Sequence, residues 1–306
     1  MSSFSATDAA LSGFRLAARK PMLILAWAGI SLVFTIVYFA IVGVTMLPMI
    51  GMIGDAEPSP EAMAAASGAS VLSNLITLPL SLLASSMAQA AAYRAILRPE
   101  DRGLAYFKLG GDELRILVVN VVLTILFAVV ALAVVLVMGL IGGGAMFAAR
   151  GSDQSGGVGA LLMVIMILAA CAGAIFLAVR FSLAAVITFA TRKISIFETW
   201  SMTAGRFWPL LGTWVLVVIF AILLYVVMAI VAFVLAMLTG VTSFLALGGG
   251  ALEDPSALAA LAGPLIIAAL VFGLLIAVWY ALMIAVSMCP AADIYRQLNP
   301  AADVFD

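Results

Sequence analysis

The sequence contains no histidine and only two cysteines, and charged residues make up 9% of its 306 residues. The absence of histidine removes the side chain most often used as a general acid or base and as a metal ligand. Soluble domains carry about 25% charged residues, so a water-soluble fold of this size would lack the polar side chains to cover its surface. A net charge of −1 gives no attraction to nucleic acid. The composition therefore excludes an ordinary soluble domain and gives no indication of a nucleic-acid partner.

The two cysteines, Cys171 and Cys289, lie in apolar surroundings far apart in the sequence. A thiol pair, metal ligation and two small buried hydrophobic residues are all open, and the lack of a CxxC spacing favours the last. No GxSxG or HExxH motif occurs, and adjacent acids stand only in connectors, as at Glu100–Asp101 and Asp112–Glu113. The sequence therefore predicts neither an enzyme nor a cofactor or metal site.

Long uncharged runs make up most of the chain. Six runs of at least 26 residues together hold 210 of the 306 residues: 21–54, 62–93, 116–149, 154–179, 207–252 and 255–292. About 20 apolar helical residues cross a bilayer core about 30 Å thick. With 66% hydrophobic residues and a mean hydropathy of +1.29, the chain is predicted to be an all-α, polytopic membrane protein with six transmembrane helices.

These helices are predicted to form three hairpins in a single transmembrane domain, 1–306. Their expected bounds are 22–47, 71–92, 115–139, 160–180, 209–237 and 263–288. Three glycine-rich patches, Gly142–Gly144, Gly156–Gly157 and Gly248–Gly250, predict turns on the outer side.

Basic residues indicate the orientation, because Lys and Arg resist translocation and remain in cytoplasmic connectors. With a cytoplasmic N-terminus and six spans, only Arg150 falls outside; the thirteen inside are Arg15, Arg19, Lys20, Arg94, Arg98, Arg102, Lys108, Arg115, Arg180, Arg192, Lys193, Arg206 and Arg296. The outer loops instead carry acids: Asp55, Glu57, Glu61, Asp153, Glu253 and Asp254. We therefore expect an even number of spans, with both termini in the cytoplasm.

Two cytoplasmic connectors are predicted to hold amphipathic helices at the membrane surface. In 5–20, polar and apolar residues recur at helical spacing: Asp8, Ser12, Arg15 and Arg19, with Leu11, Phe14 and Ala18 between them. In the third connector, Ser195 and Glu198 predict a capping box, and Gly205 is expected to end the short helix.

The exits of the second and sixth spans resemble each other. Tyr93-Arg94 leads to Pro99, and Tyr295-Arg296 leads to Pro300, at a nearly constant offset. The resemblance reflects either three parallel repeat units, 1–94, 95–194 and 195–306, or the general clustering of such residues where helices leave the membrane.

The second span is the most polar, and its polar residues share one helical face: Asn74, Thr77, Ser81, Ser85 and Gln89. Pro79 removes a backbone hydrogen bond midway and is expected to kink the helix. One interpretation of this stripe is a hydrated path or a lipid-headgroup site. Polar residues also join helices in lipid, at roughly 0.6–2 kcal/mol per hydrogen bond, and we favour this packing role.

Arg180 is the one charge whose position relative to the membrane is open. If the fourth helix covers 168–190, Arg180 lies near mid-membrane, at a cost of about 2.5–3.5 kcal/mol, which would indicate anion binding. If the helix covers 160–180, Arg180 marks the cytoplasmic edge, and we favour this position. Five further basic residues could contact anionic lipid headgroups, although anchoring in the membrane alone explains their positions: Arg94, Arg98, Arg192, Lys193 and Arg206.

Two sets of short motifs carry a resemblance to a known family. They are Tyr93–Pro99 with Leu109–Arg115, and Arg180–Ala184 with Phe197–Ser201 and Gly205–Trp208. These motifs resemble the six-span membrane domain of the bacterial glycerophosphoryl diester phosphodiesterase family. In that family the hydrolase is a separate metal-dependent barrel of roughly 250 residues. The resemblance therefore implies a location in the bacterial inner membrane, a six-span fold and a connection with lipids, but not the phosphodiesterase reaction.

Three functional hypotheses follow from the sequence. The first is a non-enzymatic membrane module that acts on membrane lipids or on other membrane proteins through its cytoplasmic helices. The second is a small permease or exporter that uses the stripe on the second span. The third, an intramembrane enzyme, would need a pair of carboxylates at depth, which the sequence does not offer.

Overall fold

The computed structural model describes residues 5–50, 59–101, 103–149, 155–238 and 255–299. Within these residues the protein is all-α, with an isolated bridge between Leu104 and Phe107 and no strand. The helices are α1 (Ala6–Ala10), α2 (Ser12–Arg19), α3 (Pro21–Ile50), α4 (Pro60–Leu97), α5 (Gly111–Ala149), α6 (Ser155–Phe181), α7 (Ala184–Thr191), α8 (Glu198–Met202), α9 (Phe207–Leu238) and α10 (Pro255–Leu298).

Six helical segments are long and apolar enough to cross a membrane. Five are the single helices α3, α4, α5, α9 and α10, and the sixth consists of α6 and α7. The predicted fold class, all-α with six such helices, is confirmed. The helices run further than their apolar cores alone predict. α4, for example, begins at Pro60, because the side chain of Ser59 caps its first turn by accepting a hydrogen bond from the Ala62 backbone N–H at 3.2 Å.

Two of the predicted outer turns are wrong. Gly142–Gly144 lie inside α5, and Gly156–Gly157 lie in the first turn of α6. Glycine costs a helix only about 1 kcal/mol per residue relative to alanine, so flanking apolar residues can carry a helix through it. The third patch, Gly248–Gly250, lies outside the described residues.

The described chain divides into two compact units, with a boundary after Lys108 and a second between Gly212 and Thr213. In the first unit, α3, α4 and α10 pack on one another. Their contact is made largely by alanines with no exposed surface, such as Ala91 on α4 and Ala281 on α10. Small residues allow helix backbones to approach closely, and this close packing is the main source of helix association in lipid. The start of α3 and the ends of α4 and α10 meet in this cluster of buried, mostly alanine side chains.

The N-terminal segment forms two short helices that break at Leu11 and pack against α10. The predicted polar face is partly wrong, because Ser12 is buried and Ala18 is exposed. Gly13 explains the difference. A Cβ atom there would lie 2.2 Å from the carbonyl oxygen of Ala285, so the face with Gly13 is the one that approaches α10.

In the second unit, α5 packs on α6 and α7, and α8 contacts the same two helices. The predicted capping box is wrong. α8 begins after Phe197 with no side-chain cap, and the Ser195 backbone N–H instead donates to Thr188 Oγ1 at 3.2 Å. Gly205, with φ of +74°, follows α8 and takes the left-handed conformation that ends such a segment.

Candidate functional site

A cavity of about 680 Å³ lies within the first unit, between α3, α4 and α10. Its size falls within the roughly 300–1,000 Å³ typical of small-molecule sites. None of the described residues that line it is charged, and its polar groups come mainly from hydroxyl side chains such as Ser31 and Thr35. The arrangement suits an apolar ligand, and the described lining residues offer no charged group to pair with an ion.

Two residues of the predicted stripe, Ser81 and Ser85, line this cavity. Thr77 is buried and donates to the Ser73 carbonyl at 2.7 Å, while Asn74 is exposed and donates to the Ser70 carbonyl at 2.9 Å. Ser81 Oγ likewise donates to the Leu78 carbonyl at 2.8 Å. These bonds remain within α4 and fill part of the hydrogen-bonding capacity of the stripe.

Gln89 also bonds within α4, because its Nε2 donates to Ser85 Oγ at 3.2 Å. Pro79 lies inside α4, which remains one helix from Pro60 to Leu97.

The connector 99–108 contributes to one end of the cavity through Phe107. The ring of Phe107 packs edge-on against Trp27, with centroids 6.4 Å apart. Trp27 Nε1 donates to the Ala105 carbonyl at 2.9 Å. Ala105 and Tyr106 have φ of 52° and 66°, values that non-glycine residues adopt rarely and only when their surroundings hold them.

Arg94 is the main link that holds this connector. Its side chain is 3% exposed, and Nη1 donates to the Tyr106 carbonyl at 2.8 Å. Its Nε lies 3.6 Å from Asp101 Oδ2. The hydroxyl of Tyr106 donates to the Pro99 carbonyl at 3.0 Å and accepts from Lys20 Nζ at 3.3 Å. Arg94, which sequence analysis assigned to anchoring or to a headgroup, thus lies inside the protein.

Asp101 forms ion pairs with two basic residues, Arg94 and Lys108. The hydrogen bond from Lys108 is the main cause that holds the pKa of the Asp101 carboxyl below its ordinary value, with smaller contributions from Arg94 and Arg98. Arg98 itself is half-buried at the end of α4. In the N-terminal segment, the hydrogen bond from Arg15 similarly lowers the pKa of Asp8.

Arg180 occupies a second candidate site, in the second unit. It lies in the last turn of α6, and α7 begins only after a break at Ser182–Leu183. Its guanidinium carbon lies 5.3 Å from the ring centroid of Phe176 and 5.0 Å from that of Trp200. Such stacking stabilises a cation by about 0.5–2 kcal/mol per ring.

The hydrogen bonds of Arg180 go to neutral acceptors. Nη1 donates to the Trp200 carbonyl at 3.3 Å and to Thr203 Oγ1 at 3.2 Å. Among the described residues, no carboxylate forms an ion pair with it and Nε has no hydrogen-bond partner. The structure therefore shows a half-buried positive charge held in place by aromatic rings and not neutralised by an acid.

Exposed basic and aromatic side chains accompany Arg180 in the second unit. Arg192 ends α7 with φ of 55°, and Lys193 and Arg206 are exposed. Phe197 and Trp208 are 78% and 76% exposed. Tryptophan, which has an apolar ring and a polar N–H, is enriched where a membrane meets water.

The sequence points to Arg180 and to the stripe, but no pattern in it predicts the cavity or the role of Arg94. The cavity is formed by three helices that are distant in sequence, so no local pattern predicts it. Of the two cysteines, Cys289 is buried as predicted, whereas Cys171 is exposed. No protein-family model, curated protein or solved structure matches this chain.

Proposed function

We propose that this chain is a non-enzymatic integral protein of the bacterial inner membrane that contacts anionic lipid headgroups through Arg180 and the basic connector that follows α6. Both termini lie in the cytoplasm in this proposal, as the distribution of basic residues predicts. The proposal also relates the chain to the membrane domain of the glycerophosphoryl diester phosphodiesterase family, on the short motifs named above. The six long apolar helices support the membrane location.

The arrangement around Arg180 is the observation that carries the lipid contact. A guanidinium that is half-buried with no carboxylate partner in the described part of the chain retains an unneutralised charge. Arginine binds phosphate oxygens in a planar, two-pronged geometry, and phosphate is the common anion at the membrane surface. Phe176 and Trp200 restrict the side chain in advance, so less entropy is lost when an anion binds.

Lipid binding to the purified protein tests this proposal. Arg180→Gln should lower the affinity for phosphatidylglycerol, measured by native mass spectrometry, by at least about tenfold, because a hydrogen bond to a charged group contributes about 1.5–3 kcal/mol. Arg19→Gln is the matched control. It makes the same substitution at an exposed position on α2, outside the connector that follows α6, and we expect a change of less than about threefold. Equal losses in the two variants, or none in either, would contradict a specific contact at Arg180.

The alternative function, a permease, requires water along the stripe of α4. Cysteines introduced at Asn74, Ser81 and Ser85, in a variant without Cys171 and Cys289, would then react with a membrane-impermeant thiol reagent. We expect no reaction at Ser81 or Ser85, because large apolar side chains dominate the cavity that these two residues line. Reaction at both positions would favour the permease.

A further inference from the structure

We propose that the cavity between α3, α4 and α10 binds one acyl chain of a membrane lipid. This inference rests on the membrane location in the proposed function, but it does not depend on Arg180. It adds a second site of different chemistry, which takes a hydrocarbon chain and not a headgroup.

The length of the cavity supports an acyl chain as the occupant. On α3 it extends from Ile30 to Phe39, nine helical rises of about 1.5 Å, or about 14 Å. On α10 it extends from Ile276 to Met288, or about 18 Å by the same measure. One leaflet contributes half of the hydrocarbon core of about 30 Å, or about 15 Å. The cavity therefore runs along the spans for the depth of one leaflet.

The lining also matches a hydrocarbon chain. Large apolar side chains from α3 and α10 dominate it, for example Phe34 and Ile284, and none of the described lining residues is charged. Ser81, one of its hydroxyl-bearing residues, already donates to the backbone of its own helix, so it does not need a polar ligand. A charged or strongly polar occupant would lose its hydration in this cavity without compensation.

The cavity has an exposed side and a closed end. Four of its described lining residues are exposed to the surroundings of the unit: Ser81 and three aromatic residues, Phe39 by 60%, Tyr280 by 47% and Tyr38 by 41%. At the other end lies Phe107, which the connector holds against Trp27. In a membrane the surroundings of these apolar helices are lipid chains, so the occupant is present in large excess at the exposed side.

Photolabelling in a bilayer tests the inference. The probe is a phosphatidylglycerol with a diazirine on one acyl chain, in nanodiscs of unlabelled phosphatidylethanolamine and phosphatidylglycerol. The measurement is the label on peptides of α3 and α10 divided by the label on peptides of α5, which reports general contact with surrounding lipid. For the wild type we expect a ratio well above one, because a bound chain stays near its site longer than a passing one.

Two substitutions fill the cavity from different positions, Ala84→Phe and Ser81→Phe. Each should lower the ratio to near one, the value expected for contact with surrounding lipid alone. If Ala84→Phe does not fold, Ser81→Phe still gives the answer, because Ser81 is exposed. Ala229→Phe adds the same ring at an exposed position on α9 that does not line the cavity, and should leave the ratio unchanged.

The outcomes separate this inference from the proposed function. Label on α5 shows that the chain is in the bilayer, whatever happens at the cavity. Arg180→Gln should leave the ratio unchanged. A wild-type ratio near one would mean contact with surrounding lipid only and would overturn the inference, as would a ratio that neither Phe substitution lowers.

Discussion

Replacing Arg94 should open the connector 99–108 without unfolding the helices. Arg94 Nη1 donates to the Tyr106 carbonyl at 2.8 Å, and a hydrogen bond from a charged donor contributes about 1.5–3 kcal/mol. The 3.6 Å approach to Asp101, whose side chain is 38% exposed, adds at most about 1 kcal/mol. Arg94→Met removes both interactions and keeps a long side chain at this buried position. We expect a loss of about 2–3 kcal/mol in the stability of the closed connector, which raises its open population about 30- to 150-fold.

Chymotrypsin cleavage after Tyr106 or Phe107 measures that opening. Both side chains are less than 10% exposed, so the enzyme cannot bind them while the connector is closed. When reclosing is fast, the cleavage rate follows the open population. Arg94→Lys should give an intermediate rate, because an ammonium keeps the charge but not the planar fork of donors.

Arg296→Met is the matched control, because Arg296 occupies the equivalent position in the resembling segment at the end of α10. Its side chain is 46% exposed and pairs with Asp293 of its own helix at 2.6 Å. We expect it to change the cleavage rate by less than about fivefold. Wild-type cleavage of a correctly folded Arg94→Met protein would refute the reasoning, and so would equal acceleration in the Arg296→Met protein.

Two further predictions concern the N-terminal helix and pH. Gly13→Ala should lower stability to sodium dodecyl sulfate by about 1–3 kcal/mol, because its Cβ would lie 2.2 Å from the Ala285 carbonyl oxygen, a backbone atom that cannot move aside. Gly29→Ala is the control, because no atom lies within 4 Å of the added Cβ, and it should be neutral or stabilising. Equal effects of the two substitutions would contradict this prediction. The lowered pKa of Asp101 stabilises the closed connector above the unfolded pKa of about 3.9, and this contribution is lost as the pH falls through the folded value. Amide hydrogen exchange at 104–107 should therefore be slower in the wild type than in Asp101→Asn at neutral pH and converge with it in acid, whereas a constant ratio would contradict the assignment.

The fold could be predicted from the sequence because hydropathy alone determines which segments suit a membrane. All six predicted spans correspond to long helices. Their ends could not be predicted as well, since capping depends on single residues that hydropathy does not register. Ser59 extends α4 to Pro60, and Gly142–Gly144 fail to end α5.

The N-terminal helix shows why a periodic pattern does not identify its partner. The pattern predicts a helix with a polar and an apolar face, and a helix is present. It assigns Ser12 to the polar face, yet Ser12 and Gly13 are buried. Small residues allow close approach of two backbones, and that approach depends on α10, which is more than 240 residues away in the sequence. A hydropathy pattern cannot distinguish a helix that lies on lipid from one that lies on protein.

Arg94 and Arg180 make the same point for the candidate sites. Both stand in the last turn of a long apolar helix, and the sequence gives both the same interpretation, a basic residue at the cytoplasmic edge. Their roles differ because of the segments that follow. The connector after α4 folds back, and its Tyr106 carbonyl accepts a hydrogen bond from Arg94 inside the protein. The segment after α6 presents Trp200 and Thr203, which hold the guanidinium of Arg180 but do not neutralise it. No pattern in either segment shows which of its groups will contact the arginine, so the distinction between a structural arginine and one available to an anion depends on tertiary structure.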